Sequence, residues 1–105
     1  MRYLKTFETI KKLEDARSGD FVICKEESSF VDPELGNFIN NKIGIINHIS
    51  YGINFYIYYE NVPEKLKHRF NGINGTRLMK KHEIIMCSDN REELEYYLST
   101  NKYNL

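Results

Sequence analysis

Two adjacent runs dominate the hydrophobic pattern of the chain. From Ile53 to Glu60, the residues Phe55, Tyr56, Ile57, Tyr58 and Tyr59 all favour extended backbone. Lys42 to Ser50 carries Ile43, Ile45, Ile46 and Ile49, and Tyr51-Gly52 between the runs is a turn signal. Together they predict a hairpin of strands at 42–50 and 53–60. Phe21-Val22-Ile23-Cys24 follows the turn signal Ser18-Gly19-Asp20 and predicts a strand over 21–25, apolar on both faces. Arg77 to Lys80 and Ile84 to Cys87 predict two more short strands, 77–80 and 84–87, with a tight corner at Lys81-His82-Glu83.

Helical signals are fewer. Asp32-Pro33-Glu34 combines an N-cap, a proline at the first helical position and an acid in the first turn. The helix it starts presents Leu35, Phe38 and Ile39 on one face and ends near Asn40-Asn41. A second helix starts near Asn90, with Ser88, Asp89 or Asn90 as cap and Glu92 and Glu93 in the first turn. Leu94, Tyr97 and Leu98 form its buried face, and Tyr103 and Leu105 are expected to pack back on the strands. Glu64 to Phe70 reads as one or two helical turns carrying Leu66 and Phe70 inward, and Asn71 to Gly75 (NGING) as a mobile loop. Glu26 to Phe30 reads as a polar loop. At the start, Leu4, Phe7, Ile10 and Leu13 recur every third residue, which is either a helical stripe or an arm.

Five short strands with brief helical insertions, and no long helix–strand alternation, predict a mainly β, α+β fold: a small SH3-like five-stranded barrel closed by a C-terminal helix. A chain of 105 residues holds one domain. Residues 1–17 form its arm or helix, 18–88 the barrel and 89–105 the C-terminal helix and tail. No stretch approaches the length of apolar sequence that spans a bilayer, and the opening residues lack the apolar core of a secretory signal. Two cysteines, Cys24 and Cys87, are too few for a disulfide framework and read as buried thiols of a cytoplasmic protein. If the first and last strands pair, the two become neighbours.

Charge changes the picture only locally. Lysine plus arginine and aspartate plus glutamate stand at 15 each, so the chain as a whole has no pull toward polyanions. Between Lys65 and His82, however, lie Lys65, Lys67, Arg69, Arg77, Lys80 and Lys81 with His68 and His82, and no acid. Phe70 and the NGING loop fall inside this stretch. It suits a phosphate backbone or an acidic protein surface, or it is a solvated face whose balancing acids lie elsewhere. Tyrosines are the second departure. Tyr56, Tyr58 and Tyr59 crowd one strand, so at least one faces outward, and Tyr96 and Tyr97 do the same on the helix. Tyr58 or Tyr96 is expected at a binding surface, because tyrosine gives large contact area for little lost entropy.

Catalytic chemistry finds no foothold. His48, His68 and His82 show no metal-ligand spacing, and the glycines form no phosphate-cradling motif. No serine sits in a nucleophile elbow, and neither cysteine has a cationic neighbour to activate it. Glu26-Glu27 and Glu92-Glu93 diverge in direction and read as a solvated loop and a helix-dipole complement. The expectation is a protein without enzymatic activity or cofactor.

In the segments MRYLKTFE, SGDFVICKE, NKIGII, YIYYENVPEKLK, KHEIIMCS and NREELEYYLSTNKYNL, the chain resembles small phage-type accessory proteins with an SH3-like barrel. MRYLKTFETIKKLE is also similar to the capsid-targeting leaders of T4-like phages, without a protease recognition sequence after it. The resemblance implies a phage or mobile-element context and no catalytic residues. The resulting expectation is a protein-binding module that inhibits or modulates a host or viral protein such as a defence component. Two alternatives stand beside it: a nucleic-acid-binding barrel using the 65–82 stretch, and a protein that sequesters a nucleotide signal between subunits.

Overall fold

The computed structural model describes residues 10–27 and 32–103, the last three of these as backbone only. Its centre is one five-stranded antiparallel sheet: β1 (Phe21–Cys24), β2 (Ile43–Ser50), β3 (Asn54–Tyr58), β4 (Arg77–Lys80) and β5 (Ile84–Ser88). Two α-helices, α1 (Pro33–Asn40) and α2 (Arg91–Tyr103), pack on it. The predicted strands are all present, trimmed or extended by a residue or two at their ends.

Strand order is β4-β3-β2-β1-β5, so the last two strands of the chain lie at opposite edges of the sheet. Only the three-residue 3-10 turn Lys81–Glu83 joins them. The sheet must therefore coil enough to bring its two edges to one corner. No β4–β5 ladder closes it among the described residues, and the expected closed barrel is an open sheet in this respect. The corner is fixed by Glu83, whose carboxylate accepts from Lys80 N at 2.9 Å and from Glu27 N at 3.2 Å.

Alternation along the strands sorts the residues between two faces. Val22, Cys24, Ile46, Phe55, Ile57, Met79, Ile84 and Cys87 point inward and meet Leu35 and Ile39 of α1, with Leu66, Tyr59 and Phe70. Phe38, Tyr59 and Phe70 form a triangle of edge-to-face rings, each pair 5.9 Å apart. Gly44 of β2 lies directly beneath this cluster. A Cβ there would sit 2.3 Å from Ile57 Cγ2 and 3.0 Å from the Tyr59 ring. On the opposite face, α2 packs against β5, β1 and β2, and Ile23 and Leu94 are fully buried.

The caps explain the helix limits. Asp32 Oδ1 accepts from Leu35 N at 3.2 Å and Pro33 follows at the first position. Asn90 Oδ1 accepts from Glu92 N at 3.0 Å, which selects Asn90 among the three candidate caps of α2. Glu92 and Glu93 stand in the first turn as expected of a helix-dipole complement, and Glu93 is buried there.

Three further readings are sharpened. Glu26 is 3% exposed and belongs to the interior, because Arg77 reaches it across the fold. NGING is held by four local hydrogen bonds: Gly72 N to Thr76 O, Gly75 N to Gly72 O, and Thr76 N and Oγ1 to Ile73 O. Ile10 does not continue a helix; it bridges Ser88, and Lys11 N donates to Cys87 O at 2.7 Å along the outer edge of β5. Leu4, Phe7, Tyr103 and Leu105 concern side chains outside the described residues.

β1 and β5 do pair, setting Val22 opposite Cys87 and Cys24 opposite Ile84, so both thiols face the main core. Both are free, and burial pushes each pKa up to about 12. Both should resist an aqueous thiol reagent in the native state and react once denaturant is added. Rapid native labelling of either one would contradict its buried, protonated state.

Candidate functional site

The 65–82 stretch is dispersed by the fold and largely neutralised. Lys65 pairs with Glu34, Arg69 with Asp32 at the head of α1, and Arg77 with Glu26. Lys67 lies 3.3 Å from Glu64, a looser pair in which both side chains are exposed. Arg77 grips Glu26 with two nitrogens at 2.7 and 3.0 Å and donates a third bond to Arg69 O, so it is a structural residue. Lys80 extends to Asn54 Oδ1 across the β3–β4 edge, and Lys81 is exposed on the corner turn. His82 donates to Glu27 at 2.9 Å. Apart from Glu64, the balancing acids come from residues 26–34, outside the stretch, as its reading as a solvated face expects.

The Glu27 carboxylate raises the pKa of His82 above the usual 6.5, through that hydrogen bond first and its charge second. A raised folded-state pKa means that the pair supports the fold fully below the unfolded value, near 6.5, and loses this as pH rises through the folded value. An NMR titration of His82 should show a midpoint that falls in Glu27→Gln. An unmoved midpoint would remove Glu27 as the cause.

The tyrosines are sorted by register. Ile45 pairs with Tyr58 and His48 with Tyr56, around a bulge at 46–48; Tyr56 pairs in turn with Leu78. Phe21 stands opposite Ile45. The outward side of β1 to β4 thus carries a continuous patch of Phe21, Ile45, Tyr58, His48, Tyr56 and Leu78, with the Arg91 guanidinium of α2 over the Phe21 ring at its β1 end. Tyr58 is 42% and Leu78 39% exposed, and the His48 and Tyr56 rings lie 5.8 Å apart. No carboxylate stands among these positions; Lys80 lies at the patch's edge. Tyr96 is exposed on α2, a separate element. Tyr59 points inward, its buried hydroxyl beside the Cys24 thiol.

Beside the patch is a pocket of about 340 Å³ lined by Tyr58, Tyr59, Asn61, Val62, Lys67, Phe70, Asn74 and Gly75. It forms where β3 ends and the chain turns back through the 3-10 segment Glu64–Arg69. Asn61 and Asn74 have left-handed backbone, φ 58° and 60°, a conformation asparagine accepts more readily than other side-chain-bearing residues. Tyr58, Lys67 and Phe70 among the sequence candidates meet here. Asn61, Val62, Asn74 and Gly75 were not candidates, although the turn-forming asparagines of ENVP and NGING were a usable signal. Among the described residues no cluster of histidine, cysteine and acidic side chains could hold a metal ion, and no helix is long and apolar enough to cross a membrane.

Comparison with known proteins yields no matching family model, curated protein or solved structure.

Proposed function

We infer that this protein is a non-enzymatic interaction module that takes a protein partner on the open outer side of β2, β3 and β4. The observation that carries this reading is the patch itself. α2 covers this side over β5, β1 and part of β2, yet leaves Tyr58 and Leu78 exposed over β3 and β4, with half-buried Tyr56 and Ile45 in register beside them. Monomeric surfaces seldom keep aromatic side chains together in this way, and interface centres are rich in them and poor in carboxylates. An SH3-like barrel is the fold reading that accompanies it, supported by the strand order and the short 3-10 turn between β4 and β5. A phage-type accessory role, acting on a host or viral protein, fits such a module. The nucleic-acid alternative is less well supported, because carboxylates already engage four of the six cations it would use.

Affinity capture from host lysate tests the reading. Wild-type protein should retain a stoichiometric partner that Tyr58→Ser/Leu78→Ser loses and Tyr51→Ser, altered at the hairpin turn, keeps. Recovery of no partner, or equal recovery by all three, would defeat the reading.

A further inference from the structure

We propose that the pocket between Tyr58 and Asn74 is a binding site for a small planar aromatic anion, a function separate from the docking of a protein partner. Three features of its lining define the ligand class. Tyr58, Tyr59, Phe70 and Val62 supply flat apolar walls that suit a ring. Lys67, Asn61 and Asn74 are the polar residues of the lining and no carboxylate is among them, so a negative polar end suits the ligand. A volume of about 340 Å³ falls in the range of small-molecule sites and admits one such molecule.

The site is also preformed. Phe70 and Tyr59 are fixed from behind by Phe38, and Phe70 is itself buried. The hydrogen bonds that close NGING hold Asn74 and Gly75, and Asn61 is set in the left-handed turn that follows β3. Little has to be ordered on binding, which favours affinity. Lys67 is the one charged group, and its present partner is replaceable. Glu64 is 89% exposed, and such solvent-facing pairs hold weakly. An anion seated against the apolar wall offers the ammonium a less hydrated partner.

The test is a titration of ¹⁵N-labelled full-length chain, followed by its amide spectrum. Adenosine 5′-monophosphate and indole-3-acetate are the aromatic anions, adenosine and indole their uncharged rings, and phosphate and acetate the ringless anions. Both aromatic anions should shift the amides of 58–62, 67–70 and 74–75 at up to about 5 mM ligand, with the neutral rings weaker and the ringless anions silent. Lys67→Gln should weaken the aromatic anions about tenfold and leave the neutral rings unchanged. Asn74→Gly, which keeps the left-handed backbone while removing the amide, should weaken them without lowering the melting temperature. No pocket shifts from either aromatic anion, equal shifts from phosphate alone, or equal loss for charged and neutral rings in Lys67→Gln would each overturn the proposal. Leu78→Ser alters the docking patch outside the pocket and should titrate as wild type, so failure of one function is distinguishable from failure of the other.

Discussion

Gly44→Ala is expected to destabilise the fold by about 3 kcal/mol or more, near the upper end of what overpacking a buried site costs. The new methyl group would arrive 2.3 Å from Ile57 Cγ2, far inside contact distance, and against the Tyr59 ring at 3.0 Å. Neither neighbour can swing away. Ile57 is β-branched and fully buried, and Tyr59 is held by Phe38 and Phe70. For a chain of this length the melting midpoint should fall by roughly 10 °C or more. Removing the obstructing methyl supplies the control: Gly44→Ala/Ile57→Ala should be less destabilised than the sum of the two single variants. A single Gly44→Ala variant that melts with the wild type would show that the sheet yields at this point, and would refute tight packing over Gly44.

The second large effect is expected at Arg77. Its guanidinium binds both oxygens of Glu26, a carboxylate taken out of water between β1 and the hydrophobic cluster. Truncation to alanine removes the main charge partner and leaves the carboxylate inside, at a cost of about 3–5 kcal/mol by chemical denaturation. Arg77→Lys should recover only part of this, because one ammonium cannot reproduce the planar two-pronged contact or the third bond to Arg69 O. Glu26→Gln/Arg77→Met, which removes both charges, should be more stable than Arg77→Ala. If it is not, desolvation of Glu26 is not what the arginine offsets.

What the sequence made legible follows from how local each determinant is. The hairpin 43–58, the strand beginning at Phe21 and both helix starts depend on runs of β-formers, turn residues and caps within a few positions, and all were read correctly. Ion pairs across the chain were not. Glu26 and Arg77 lie 51 residues apart, so Glu26 looked like part of a polar loop and Arg77 like part of a free basic stretch. Separations of 37 and 31 residues likewise hid Asp32 behind Arg69 and Glu34 behind Lys65. For the tyrosines, alternation required an outward member of the trio. Register with Ile45 and Leu78 was needed to show that Tyr56 and Tyr58 are both outward and share one patch. The pocket depends on the return path of the chain after β3, which periodicity does not encode; only its asparagine turns left a trace.

The placement of Ile10 and Lys11 beside β5 bears on solubility. An open sheet has two edges, and each is a template for another chain. The β4 edge is only four residues long and bears the exposed Lys80, which discourages a like edge from docking. The β5 edge runs through Ile84, Ile85 and Met86 with no charge at all, and Ile85 is exposed. The bridge from Ile10 to Ser88 and the bond from Lys11 to Cys87 occupy one end of it, and the Lys11–Asp20 ion pair at 2.8 Å clamps the segment there. A chain beginning at Lys12 should therefore form concentration-dependent multimers in sedimentation, while Lys11→Ala, which loosens the clamp and keeps the backbone bond, should form fewer. Ile10 and Lys11 thus shield one end of the β5 edge from pairing with another chain.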